Sequence, residues 1–234
     1  MSRRHDPAWV WMVGAFGGAL TLAAAILAGY GTGPDGLRLA VRSTARWSFL
    51  FFWLSYAGGA MAILLGPALA GLTRRARAFG LAFAAALQVH VGLVVWLGVA
   101  IGQIPLHGGL LWFFVVALFF TYALVLLSFG IGTRNLGRLW RPLLLVGTTY
   151  ILVAFGRDFV LGAVDPKTRH WLYAAEYVPF ALLSLVAVPL RVAAFVCRRF
   201  DRSATSPGAD GSKHSSVAHA DHLSLSQDPA KTSL

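Results

Sequence analysis

The stretch Ala78-Phe79-Gly80-Leu81-Ala82-Phe83-Ala84-Ala85-Ala86-Leu87-Gln88-Val89-His90-Val91-Gly92-Leu93-Val94-Val95-Trp96-Leu97-Gly98-Val99-Ala100-Ile101-Gly102 decides how this chain is read. It contains no Asp, Glu, Lys or Arg, and it exceeds the roughly 20 residues that a helix needs to cross a bilayer. A barrel strand would alternate apolar and polar residues over about ten positions, and this stretch does not. Five more stretches share its character: roughly 9–30, 47–72, 109–131, 140–163 and 171–197. At 57% hydrophobic and 12% charged over 234 residues, the chain is too apolar for a soluble domain of this size. The expected fold is all-α, a polytopic membrane protein with a six-helix bundle over residues 1–200 embedded in a lipid bilayer.

Charge sets the expected orientation. Arg3, Arg4, Arg74, Arg75, Arg77, Arg134, Arg138, Arg141, Arg191, Arg198, Arg199 and Arg202 fall on one side of the spans. The other side has Arg38, Arg42, Arg46, Arg157, Lys167 and Arg169, diluted by Asp35, Asp158 and Asp165. The positive-inside rule then places both termini in the cytoplasm. The net charge of +11 is a topology signal, and the scattering of arginines between apolar spans argues against nucleic acid as a partner. The first span is longer than the apolar core of a secretory signal and has no clear cleavage site, so it is expected to stay as a helix. Cys197 is alone, which excludes an internal disulfide. Residues 201–234 turn to Ser, Ala, Asp, His and Gly and are expected to form a disordered cytoplasmic tail, in which His214, His219 and His222 lack the spacing of a metal site.

His90 is the residue that intrudes. An imidazole in the middle of an apolar span is costly unless it finds a partner. Three roles stand open: a neutral ring bonded to Gln88, Thr121, Tyr122 or Tyr150, an axial ligand to haem iron, or a proton relay. Arg157 invites a similar choice between an anionic group near the outer face and a snorkelling side chain paired with Asp158 or Asp165. Glu176 opens the last span, where it stays wet or pairs with Arg157 or Arg169. Small residues, Ala57 to Ala60 on the second span and Ala82 to Ala86 on the third, predict close packing of those two helices.

A series of short motifs adds a resemblance. Gly33-Pro34-Asp35-Gly36-Leu37, Thr44-Ala45-Arg46-Trp47-Ser48-Phe49, Leu64-Leu65-Gly66-Pro67, Gly80-Leu81 with His90, and Leu136-Gly137-Arg138-Leu139-Trp140 occur in that order. The order resembles the ferric reductase-like transmembrane domain, nearest to the haem-binding membrane subunits of the bacterial methionine sulfoxide reductase system, over residues 33 to 160. The resemblance implies adjacent third and fifth spans, a bacterial inner membrane, and His90 as a haem ligand. It also implies histidines on the fifth span, where this chain has Leu144 and Arg157.

The expected function follows from that mixture. One reading is a membrane electron-transfer subunit with at most one haem b, His90 its metal ligand and Arg157 near a propionate, served by a separate redox or membrane partner protein. The alternative is a degenerate, cofactor-free membrane partner or assembly protein. The chain shows no Gly-rich dinucleotide motif, and its tail is too short for a flavin or nicotinamide domain, so any oxidoreductase activity would need an external donor. A small-molecule carrier is disfavoured by the lack of paired buried charges and of matching interrupted helices.

Overall fold

The computed structural model describes residues 8–103, 108–130, 137–164 and 171–204. Its elements are α1 (Ala8–Tyr30), α2 (Pro34–Leu64), α3 (Ala70–Ile101), α4 (Gly109–Ser128), α5 (Trp140–Val164) and α6 (Trp171–Ala204), with short 3-10 turns at Pro67–Leu69 and Gly137–Leu139. All six helices are long and apolar enough to cross a membrane, and no strand occurs among the described residues. Residues Met1–Phe195 form one compact unit and a second begins at Val196; the bundle described below is the first. His5, His107, His170 and the tail from residue 205, including His214, His219 and His222, lie outside the described residues.

The second span differs from its expected bounds of 47–72. Pro34 stands at the start of α2, where its missing N–H costs no helical bond, and Asp35 in the first turn complements the helix dipole. Gly36 sits so close to the carbonyl of Gly31 that a side chain would collide with backbone, which explains how the chain turns tightly from α1 into α2. Gly33-Pro34-Asp35-Gly36 therefore opens a helix instead of forming a long loop. At the other end Gly66 has φ +95°, a conformation that favours glycine, and Pro67 follows it. Those two residues separate α2 from α3. The 31 residues of α2 span about 46 Å, more than a hydrocarbon core of about 30 Å, so its first turns, with Arg38 bonded to Asp35 at 3.0 Å, project beyond it.

Two cores hold the helices together. Lipid tails are as apolar as leucine, so packing and hydrogen bonds drive association inside a membrane. The α1–α2–α3 core uses small residues: Ala15, Ala19, Ala23, Ala40, Ala82 and Ala86 are buried there with Leu37. The Trp47 indole N–H crosses this core to donate to the Ala15 carbonyl at 3.0 Å, and Ser55 donates to the Ala76 carbonyl at 2.8 Å. As the runs of alanine predict, α2 and α3 pack closely, with Gly58 and Gly80 giving room to Leu72 and Ser55.

The second core is aromatic and joins α2, α3, α5 and α6. Phe49 of α2 meets Phe159 of α5 edge to face, ring centroids 4.9 Å apart at 69°. Phe83 of α3 meets Phe155 of α5 at 6.0 Å, so the third and fifth spans touch through side chains at that level. Phe49, Phe52 and Tyr56 turn inward while Leu50 faces out, which resolves a crowded aromatic stretch into one buried face. α2 is tied to α6 by the Trp53 indole N–H, which donates to the Leu183 carbonyl at 2.8 Å.

Candidate functional site

His90 lies three turns before the end of α3, on the face that meets α2. Its Nδ1 stands 3.0 Å from the Val41 carbonyl oxygen and 3.5 Å from the Thr44 hydroxyl oxygen. A carbonyl only accepts, so Nδ1 carries a proton and donates it. The Thr44 hydroxyl donates to the Ala40 carbonyl in its own helix at 2.8 Å. The imidazole thus bridges α3 to a backbone carbonyl of α2. None of the four side chains expected as its partner plays that part. Tyr122 donates to Gln88 at 2.7 Å, Tyr150 to the Phe113 carbonyl at 3.2 Å, and Thr121 to the Ala117 carbonyl at 2.9 Å.

Of the two positions that the resemblance pairs with His90, Leu144 lies at another level of the bundle. α3 and α5 both run antiparallel to α2, as the contacts Phe52–Phe83 and Val41–His90 and the contacts Phe49–Phe159 and Phe52–Phe155 require, so they share a direction. Phe83 and Phe155 set a common level. His90 is two turns to one side of that level and Leu144 three turns to the other, about 27 Å apart along the axis. Leu144 instead lines a cavity of about 520 Å³ with Phe52, Tyr56, Arg77, Thr148 and Arg191. Arg157 is half-exposed, and its Nη1 lies 3.2 Å from the Asp158 carboxylate. No group of three or more His, Cys, Asp or Glu able to hold a metal occurs among the described residues. A haem shared between His90 and Leu144 does not fit this geometry, and at Arg157 the side chain is a guanidinium, which offers iron no lone pair.

Arg46 carries more of the interior electrostatics than sequence reasoning gave it. Assigned to a loop by its position before the expected second span, it lies inside α2 with its side chain only 13% exposed. Its Nη2 is 2.9 Å from the Glu176 carboxylate on α6, and its guanidinium rests over the Tyr177 ring at 4.8 Å. The approach to Glu176 is poorly aligned, leaving Nε and Nη2 without a hydrogen-bond partner. The pair is therefore a charge contact reinforced by cation–π attraction. The one signal in the sequence was its spacing: Arg38, Arg42 and Arg46 recur every four residues, the period of a helix face.

These features define a six-helix bundle with membrane-spanning helices, an imidazole bridging α2 and α3, and a basic cavity among α2 to α6. No family model, curated protein or solved structure matches the chain.

Proposed function

We propose that this chain is an integral membrane partner or assembly protein that holds no haem of its own, built on a bundle resembling the ferric reductase-like one. Its place is a bacterial inner membrane, with both termini cytoplasmic. The observation that supports this reading is the placement of Leu144, about 27 Å from His90 along the axis, where it lines the cavity instead of facing the imidazole. An electron path across a bilayer generally needs two haems, each held by two axial ligands, and Leu144 and Arg157 cannot supply them. Leucine has no donor atom, and a guanidinium offers iron no lone pair.

One observation favours the electron-transfer reading with a single haem b. A ligating histidine commonly donates its other ring N–H to a carbonyl, and His90 does so to Val41. The haem content of the full chain, purified in mild detergent from haem-sufficient cells, separates the two. The proposal expects a pyridine haemochrome assay to give far less than one haem per chain. A stoichiometric haem would overturn it.

A further inference from the structure

We infer that the cavity among α2, α3, α4, α5 and α6 is a binding site for the headgroup of an anionic phospholipid. Its volume of about 520 Å³ falls within the roughly 300–1,000 Å³ typical of ligand pockets. The walls are mainly apolar, with Phe52, Leu144 and Ile151 among them, as suits the glycerol and upper acyl portion of a lipid. Among the described residues the charged groups lining it are Arg77 and Arg191, and no carboxylate lines it. Arg191 is held in place over the Tyr56 ring at 4.3 Å, while Arg77 is exposed at the rim, so one cation is fixed inside and one meets the surface.

The remaining polar groups sharpen the choice of ligand. Ser128 and Thr148 donate their hydroxyl protons to carbonyls of their own helices, at 2.9 and 2.7 Å. Of the donors left for a ligand, the Tyr56 hydroxyl and the Trp140 indole are neutral and the two arginines are cationic, which favours an anion over a neutral polar head. The cavity lies at the end of the bundle where Arg74, Arg75 and Arg141 also gather. Basic pockets between membrane helices at such an end recognise anionic lipid heads. A bilayer supplies that ligand at high local concentration beside the opening, which a soluble anion does not match.

The test uses the full chain in mild detergent, mixed with phosphatidylglycerol or with phosphatidylcholine of the same acyl chains, and native mass spectrometry reads the lipid retained. The expected result is saturable retention of phosphatidylglycerol, with the preference over phosphatidylcholine reduced about 30-fold by Arg77→Gln combined with Arg191→Gln. Arg74→Gln, outside the cavity, should leave the preference intact. Should the double variant not fold, Leu144→Trp fills the cavity while keeping both arginines, and it should lose the tightly held lipid. Equal retention of the two lipids, an unchanged preference in the double variant or in Leu144→Trp, or displacement of phosphatidylglycerol by inorganic phosphate would each overturn the assignment.

Discussion

The Nδ1 of His90 donates to the Val41 carbonyl across 3.0 Å, joining α3 to α2 through a histidine and a backbone oxygen 49 residues away in sequence. That carbonyl belongs to a helix and also lies 3.1 Å from the Thr44 hydroxyl, so the imidazole adds a further donor to an oxygen that already accepts. The Nδ1 side of the ring thus finds its partner in main chain. This is how a residue that is costly in an apolar span becomes a link between spans.

His90→Ala should lower the stability of the detergent-solubilised protein by about 1–3 kcal/mol, since it removes a ring from the packed seam along with its hydrogen bond. Thr44→Val should cost under about 1 kcal/mol, because the Thr44 hydroxyl bonds mainly to its own helix. Thermal unfolding of both variants provides the check. An equal loss in the two would mean that the Thr44 contact, at 3.5 Å, matters more than its length suggests.

The Arg46–Glu176 pair predicts an asymmetry. Glu176→Gln leaves a guanidinium that is 13% exposed without its counter-charge, whereas Arg46→Met removes that charge and leaves a carboxylate 43% exposed to its surroundings. The first change should destabilise by about 1–3 kcal/mol and the second should be close to neutral. Chemical unfolding in mixed micelles would measure both. A larger loss for Arg46→Met would show that the stacking on Tyr177 outweighs the charge.

What the sequence revealed depended on whether a feature was local. Six spans were legible because hydrocarbon thickness imposes a length on each helix and excludes charge from its middle. The start of α2 was not, because Arg38, Arg42 and Arg46 make a helix longer than the bilayer look like a loop. His90 stood out by type, but its partner is a main-chain oxygen, which no side-chain pattern names. The Arg46–Glu176 contact joins residues 130 positions apart, and Glu176 was instead expected to stay wet or to pair with Arg157 or Arg169. The cavity is a property of the space between helices, and Leu144 read on its own is only another apolar residue.

Glycine positions test the α1–α2 turn. Gly36→Ala would drive a methyl group into the Gly31 carbonyl, so it should destabilise by more than about 1 kcal/mol or displace the start of α2. Gly14→Ala meets open space on α1 and should be neutral or slightly stabilising, as alanine favours helix over glycine by about 1 kcal/mol. Unfolding midpoints of the two variants, compared side by side, decide it, and a harmless Gly36→Ala would contradict the tight turn.

The single cysteine is a built-in reporter of orientation. Cys197 is exposed, and a cytoplasmic C-terminus predicts that a membrane-impermeant maleimide labels it only after cells are permeabilised. Asp35→Cys in a Cys197→Ser background should label in intact cells. The reverse pattern would invert the proposed topology.

The most direct measurement of the central claim is an absorption titration of haem into the purified full chain, run in parallel on His90→Ala. With Leu144 far from His90 along the bundle and a guanidinium at Arg157 in place of a second imidazole, both proteins should give the same weak, non-saturating spectra. A saturable Soret band at one haem per chain in the unmodified protein, absent from His90→Ala, would contradict the account and restore His90 as an axial ligand.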